Sequence, residues 1–413
     1  MYQTWFHLWQ VFQQGCTVKE VVGIRMKITR SSKCYFNKWL TQSKMSELKD
    51  ILKEYAHICN YFVETYENEI PEKKKFDLLR AEQIQSCIQE TNSFLTARLI
   101  KQAFSEAYGA VQSAKSNAER RKDKKYFRPT FNGKKMVLSE CSQEFGIAQS
   151  TILFDYNITL KCLRTDKGRG YKISIPLKKH VQFNKWNNIG KVAKSVTITN
   201  KYVMFSFEIE TGEKKQEGAL LGFDFGMKRL GTLSNGKIIG EDIEKLLREL
   251  QGKRRCSKSY YRKKEEIKEY INKEVKDINF NEIKLIAVEK LKNMKYKMKE
   301  RGRLSKNIRS VFYNLSYRQV LSRIQMLSEE NRVTFRSVLP FNTSLECSHC
   351  GHIEKGNRLS QELFICQRCG YTDNADYNAS KVILKRFTTG TYGSCYKQEY
   401  LEKYDASQVS IGI

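Results

Sequence analysis

The chain has 413 residues, with 74 Lys and Arg against 45 Asp and Glu, a formal charge of +29. Such an excess favours a polyanionic partner, because clustered cations release counterions as they neutralise phosphates, and it argues against an ordinary small-molecule enzyme. With 40% hydrophobic and 12% aromatic residues the chain can still bury cores, so it is neither a disordered basic tail nor a histone-like peptide.

The length allows about two to four domains, and four prolines leave no proline-rich linker between them. No stretch reaches the ~18 apolar residues of a membrane span. The aromatic start also lacks the basic flank and small-residue cleavage site of a signal peptide, so a cytoplasmic protein without a membrane partner is expected. Residues 1–23 fit nothing downstream and are set aside as an N-terminal extension. Eight cysteines (Cys16, Cys34, Cys59, Cys87, Cys141, Cys162, Cys256 and Cys395) are scattered singly. In a reducing compartment they are expected to act as small hydrophobes.

A short strand is predicted at Met26–Thr29. From Ser43, Leu48, Ile51, Leu52, Tyr55, Cys59 and Phe62 mark one face of a helix. A second, continuous helical stretch is predicted from about Phe76 to Lys125. It ends in a basic run (Arg120, Arg121, Lys122, Lys124, Lys125) followed by Tyr126, Phe127 and Arg128, which suits either a solvated helix end or phosphate contact. Between about 135 and 215 the period becomes alternating, as in Tyr171–Leu177, Lys194–Asn200 and Tyr202–Glu210, and predicts an antiparallel sheet or barrel.

Ala219–Phe225 is an apolar strand interrupted by Asp224, a carboxylate too costly to bury unless paired or bound to a cation. Leu230–Leu233, Asn235-Gly236 and Lys237–Gly240 predict a hairpin. Lys284–Glu289 repeats the design with Glu289 at its end. Asp376 sits in Asp373-Asn-Ala-Asp-Tyr-Asn-Ala-Ser380, ahead of the helix-like Lys381–Phe387. A single acid at a strand end is commonly a turn or capping residue. Three delivered by two strand ends and a helix start supply the hard oxygen ligands of a two-Mg²⁺ phosphodiesterase site.

Cys347-Ser-His-Cys350 and Cys366-Gln-Arg-Cys369 form C-x₂-C-x₁₅-C-x₂-C, each pair followed by glycine. This spacing predicts a closed, structural four-thiolate Zn²⁺ site, with His349 and His352 as weaker competing ligands. Residues 251–303 hold 18 Lys and Arg against 8 Asp and Glu, interspersed with tyrosines. They suit a surface that tracks a nucleic-acid backbone, with Lys253, Arg254, Arg255 and Arg262 as candidate contacts. Leu304–Asn331 is predicted as a helix covering the sheet and Val333–Val338 as a further strand.

Gly222-Phe-Asp-Phe-Gly226, Ile286-Ala-Val-Glu289 and Asn374-Ala-Asp-Tyr-Asn-Ala379, with the cysteine ribbon before the last, resemble the split RuvC nuclease domain of TnpB proteins and of compact type V CRISPR effectors. The resemblance is strong over about 218–390 and looser upstream. Pro340-Phe-Asn-Thr-Ser344 departs from the family's Pro-x-Tyr-Thr-Ser at Asn342. The resemblance implies an α/β multidomain chain. An RNase H-like RuvC domain (218–340 and 373–390) would carry an inserted zinc ribbon (341–372). A wedge β-barrel (24–42 and 129–217), a helical recognition domain (43–128) and a C-terminal tail (391–413) would complete it. Asp224, Glu289 and Asp376 would be the catalytic metal-binding acids, and Arg358, in the basic loop Lys355-Gly-Asn-Arg358, an assisting residue. Guide RNA and target DNA, double- and single-stranded, would be the partners, a homodimer on one guide standing beside a monomer. A guide-independent nuclease or transposase and an RNA-guided DNA-binding repressor are the competing readings.

Overall fold

The computed structural model describes residues 27–66, 81–120, 124–138, 145–149, 153–163, 171–226, 228–290, 317–360, 362–393 and 395–396. The chain separates between Glu210 and Thr211 into two compact units. Among the described residues no helix is long and apolar enough to cross a membrane. The predicted extension 1–23 and nearly all of the 391–413 tail lie outside the described residues.

The first unit opens with β1 (Lys27–Tyr35), longer than predicted, whose alternate residues are buried. Helix α1 (Gln42–Tyr66) carries the predicted stripe, and Leu48, Ile51, Leu52, Tyr55, Cys59 and Phe62 are all buried. The single helix predicted over 76–125 is instead two, α2 (Ala81–Thr91) and α3 (Ala97–Glu119). Thr91 turns its hydroxyl onto the Cys87 carbonyl at 2.5 Å and Asn92 takes φ +47°. Both act against helix continuation, a local competition that apolar periodicity does not register. Helices α1 and α3 are joined by an edge-on Phe62–Phe104 contact and by the Tyr55 hydroxyl, which donates to Glu106 at 3.0 Å.

Strands β2 (Lys135–Leu138), β3 (Phe145–Gln149), β4 (Tyr156–Leu163) and β5 (Tyr171–Leu177) follow, then helix α4 (Val181–Ile189), β6 (Lys191–Thr199) and β7 (Tyr202–Glu210). Helix α4 was not predicted. It is short, and it buries only Phe183 and Trp186, too few apolar points to reveal a period. The expected barrel does not close among the described residues. They form a four-stranded sheet in the order β1-β7-β6-β2 and a separate three-stranded sheet β3-β4-β5. The first strand pairs antiparallel with β7 along its whole length, so residues 27–35 and 202–210 are one structure. Sheets and helices share a continuous hydrophobic core. Cys34, Cys59 and Cys87 lie in it, as predicted, whereas Cys256 is exposed in a left-handed turn (φ +62°) and is no core residue.

The second unit is built on a five-stranded sheet: β8 (Ala219–Asp224), β9 (Gly231–Leu233), β10 (Ile238–Ile239), β11 (Ile283–Glu289) and β12 (Thr334–Val338), in the order β10-β9-β8-β11-β12. Strands β8, β9 and β10 form an antiparallel meander, with Asn235-Gly236 at the predicted turn and Gly236 at φ +88°. Strands β8, β11 and β12 run parallel. Helices α5 (Ile243–Gln251), α6 (Lys258–Lys276) and α7 (Arg318–Glu330) cover one face, packing Ile267, Ile271, Val320 and Ile324 on Leu221, Phe223, Ile286 and Val288. Of the helix predicted over 304–331, residues 304–316 lie outside the described residues. The hairpins β13 (Phe364–Ile365) with β14 (Thr372–Asp373) and β15 (Thr391–Tyr392) with β16 (Cys395–Tyr396) flank helix α8 (Ala375–Thr389). Helix α8 lies on the opposite face, against Leu285, Ala287 and Val338.

Candidate active site and metal centre

Side chains alternate across a strand, which fixes where the acids point. Leu221 and Phe223 of β8, with Ile286 and Val288 of β11, belong to the α5–α7 face, so Gly222, Asp224, Ala287 and Glu289 belong to the α8 face. Ala287 is registered with Gly222 and Val288 with Phe223, which leaves Asp224 and Glu289 side by side at the C-terminal ends of parallel neighbours. Helix α8 can approach because position 222 has no side chain. A Cβ there would lie 2.1 Å from the Ser380 carbonyl and 2.9 Å from the Leu384 amide. Asn374 caps that helix, its side-chain oxygen accepting from the amides of Asp376 and Tyr377 at 3.0 and 3.2 Å. Asp376 thus stands in the first turn.

Electrostatics tie the set together. Burial, then the adjacent Glu289 and Asp376 carboxylates, hold Asp224 well above the usual carboxylate range, and Arg358 partly offsets this. Burial pushes Glu289 up to about 7 against the opposing pull of the Thr343 hydroxyl and Arg386. Arg358 donates from Nη2 to Asp376 Oδ1 at 2.8 Å, so the basic-loop arginine does reach an acid. Neighbouring acids of which Glu289 is buried and Asp224 and Asp376 are half-buried fit a divalent cation, whose charge would offset the repulsion on Asp224.

Several residues that position these groups were missed in the sequence. Thr343 donates to Glu289 Oε1, and the Tyr317 hydroxyl to the Glu289 carbonyl at 3.0 Å. Asn342 adopts φ +54° and its carbonyl accepts from Leu345 and Glu346, a left-handed position suited to asparagine. Arg386 and Glu346 form a fully buried ion pair at 2.7 Å, and Arg386 also donates to the Leu339 carbonyl. Glu346 Oε1 has no hydrogen-bond partner. Removing one member of such a pair leaves an uncompensated buried charge. Arg386→Met is therefore expected to destabilise the protein by about 3–5 kcal/mol, read as a lower denaturant midpoint, with Glu346→Gln in the same chain recovering part of the loss.

Among the described residues, Cys347, Cys350, Cys366 and Cys369 form a group whose sulfurs all lie within 4.8 Å of one another and could hold a metal ion. Each half repeats one backbone plan. Gly351 donates to the Cys347 carbonyl at 2.8 Å and Cys347 to the His352 carbonyl at 2.9 Å. Gly370 and Cys366 do the same with Cys366 and Tyr371, both at 2.9 Å. Both glycines are left-handed, at φ +75° and +72°. Four convergent thiols fit Zn²⁺. The histidines are engaged elsewhere: His349 stacks on Tyr371 and His352 meets Glu354 at 2.9 Å.

Two buried asparagines join ribbon to helix. Asn357 donates to the Leu345 and His352 carbonyls and accepts from Gln367, bridging the two knuckles. Asn378 of α8 donates to the Glu346 carbonyl and accepts from the Ser348 amide.

The described candidate basic contacts lie on surfaces. Arg120 at the end of α3, and Lys124, Lys125 and Arg128 after it, are exposed. Lys125 sits over Phe127 at 5.4 Å, and Arg128 is 3.7 Å from Glu64. Arg121 lies outside the described residues. Lys253, Arg254, Arg255 and Arg262 are exposed where α5 passes into α6, and residues 291–303 of the predicted basic bridge lie outside the described residues.

The geometry defines a class first: a mixed α/β protein with three clustered acids on one face of a sheet and a four-thiol knuckle locked to the helix that carries the third. The family profile described as Cas12f1-like, TNB domain matches residues 317–383. InsQ of Escherichia coli (strain K12), named as an RNA-guided DNA endonuclease, is 27% identical over 256 residues, 52% of this chain and 61% of InsQ. The CRISPR-associated endodeoxyribonuclease Cas12f1 of Sulfoacidibacillus thermotolerans is 40% identical over 81 residues, 19% of each chain. The chain thus spans less than two thirds of the length of these relatives. Among solved structures, a Cas12f1–sgRNA–target DNA complex superposes with a TM-score of 0.54 at 15% identity, covering 83% of both chains, which shows the shared fold. The chain is thus similar to a TnpB-like protein of Aquifex aeolicus, 28% identical over 228 residues, as well as to InsQ and Cas12f1.

Proposed function

We propose that this protein is an RNA-guided DNA endonuclease that hydrolyses phosphodiester bonds at one site formed by Asp224, Glu289 and Asp376. The observation that carries the reading is the side-by-side delivery of Asp224 and Glu289 by parallel strands, with α8 brought over them at Gly222. Residues 218–340 and 373–390 would be the RuvC-like, RNase H-type domain, and the sheet order β10-β9-β8-β11-β12 supports it. Residues 341–372 would be its zinc ribbon, 24–42 with 129–217 the wedge, and 43–128 the recognition helices.

Mg²⁺ held by the three acids would supply water activation and neutralisation of the leaving oxygen. The chain's own residues prepare the place. Thr343 fixes one oxygen of Glu289. Asn374 orients Asp376 through the first helical turn. Arg358 pairs with the Asp376 carboxylate and adds a guanidinium suited to a phosphate. Base pairing by the guide would supply sequence specificity, with the exposed basic residues of α3 and α6 on the hybrid's backbone.

The guided model is tested by assaying plasmid cutting by protein purified with its co-expressed RNA, before and after RNase treatment. Cutting should vanish with the RNA. Sequence-specific cutting that survives would establish a guide-independent nuclease, and target binding without cutting in Mg²⁺ would establish a repressor.

Glu289 also sets a pH dependence. Its carboxyl is raised from a free value near ~4.3 to about 7 in the folded chain, so the folded state binds more protons between those values. The stabilisation this gives is full below the free value and lost as pH rises through about 7. In magnesium-free buffer Tm should therefore carry a falling component from pH 5.5 to 8. Added Mg²⁺ should raise Tm by an increment that grows over the same window, because it binds the ionised acids. A Mg²⁺ increment that is flat with pH would remove Glu289 from the metal site.

A further inference from the structure

A second basic feature lies at the other end of the sheet. The three acids sit at or next to the C-terminal ends of the parallel strands, whereas a cavity of about 170 Å³ opens beside the start of β12. Its lining comes from three places in the second unit: the segment before β8 gives Lys214, the end of α7 gives Gln325, Glu329 and Arg332, and β12 gives Phe335 and Arg336. Three cations face one acid, and Gln325 already donates to Glu329 Oε1 at 3.0 Å.

The cations are held in place. Arg332 takes φ +61°, and its carbonyl accepts the Lys215 amide at 3.0 Å, fixing the 211–215 segment to the turn after α7. A left-handed arginine is a strained choice where glycine or asparagine would serve. Burial and then the neighbouring Arg336 charge lower the Lys214 amine, with Glu329 opposing. An anion between Lys214 and Arg336 would relieve both. Two guanidinium forks and an ammonium match the tetrahedral oxygens of a phosphate, and Arg332 and Arg336 are exposed enough to meet a chain passing over the surface.

We infer that this cavity is a phosphate-binding site that anchors the backbone of a bound nucleic acid at the end of the sheet remote from the acids. The inference rests on the nucleic-acid reading above. It assigns Lys214, Arg332 and Arg336 an anchoring role separate from cutting.

The test measures binding of the full chain to two fluorescein-labelled 30-nucleotide probes of one sequence, single-stranded RNA and single-stranded DNA, in magnesium-free buffer across a salt series. The variants are Lys214→Gln with Arg336→Gln, and Arg336→Lys alone. Each phosphate contact on a single strand contributes about 0.7 to the slope of log K against log salt. The double variant should lower that slope by about 1 and weaken binding roughly 5- to 20-fold at 150 mM salt, with Tm unchanged. Arg336→Lys should keep the wild-type slope. Loss confined to the RNA probe assigns the site to RNA, and equal loss on both to any backbone. A double variant that binds both probes with the wild-type slope overturns the site while leaving the nuclease reading intact. Wild-type protein that binds neither probe overturns both.

Discussion

Asp224→Ala is expected to reduce DNA cleavage by at least ~10³-fold, the scale on which a preorganised charged group acts at a reacting centre, while leaving guide and target binding unchanged. The side chain occupies the end of β8, where burial and then the Glu289 and Asp376 carboxylates act on its charge and Arg358 partly offsets them. Burial and repulsion raise its carboxyl in the metal-free chain, so removing it relieves a cost. The variant should melt at the wild-type temperature or above it in magnesium-free buffer, the usual trade of stability against function at a charged site. Asp224→Asn separates shape from charge and should be as inactive as Asp224→Ala. Cleavage should be followed on a matched DNA target with the guide bound, and binding by gel shift in the same preparation. Loss of RNA binding by Asp224→Ala would give Asp224 a structural role instead, and retained cutting would move the catalytic acid elsewhere.

The acids were legible in the sequence because an isolated carboxylate in an apolar strand is anomalous on its own, and strand ends are visible as changes of pattern. Their convergence was not. It depends on register, on Ala287 facing Gly222, and on a glycine that lets a helix come within contact of a strand about 160 residues earlier in the chain. The ribbon was legible from spacing alone, since Cys-x₂-Cys-Gly forms the knuckle through bonds inside one short segment.

Long-range polar partners left no such trace. Thr343 and Glu289 are 54 residues apart, and Arg386 and Glu346 are 40 apart. Thr343, Arg386 and Glu346 look like ordinary surface residues until the fold closes around them. The 342–344 segment is instructive: a departure from the family pattern was visible at Asn342, but the residue that reaches the site is its neighbour Thr343. The errors in the first unit have a related cause. A continuous apolar period over 76–125 cannot show that Thr91 and Asn92 break the helix. Alternation over 135–215 cannot show that the six described strands there divide between two sheets, one of them completed by β1, because the way strands partition is set by the core they share with α1 and α3.

The ribbon's place in the site leads to the second large effect. Removing zinc, by Cys347→Ser or by a strong chelator, should abolish cleavage although no cysteine touches the acids. Burial pushes the Cys347 thiol up to about 12, so without a cation it stays protonated, and the attraction of a shared cation for four thiolates is missing. Structural zinc contributes on the order of 10 kcal/mol to small domains of this kind, so the ribbon should lose its fold. What it releases is specific. Arg358 leaves Asp376, Asn378 loses both partners on the first knuckle, and Glu346, which follows Leu345 into that knuckle, no longer meets Arg386. The helix that carries Asp376 is then tied to the sheet mainly by its contacts at Gly222 and Ile383. Zinc content by atomic absorption should fall from one per chain to none, Tm should fall with it, and saturating Mg²⁺ should not restore cutting. Far-ultraviolet circular dichroism should change little, because the first unit keeps its own core. A Cys347→Ser protein that retains one zinc per chain would remove that cysteine from the ligand set. One that loses zinc yet cuts normally would show that α8 holds Asp376 in place without the ribbon.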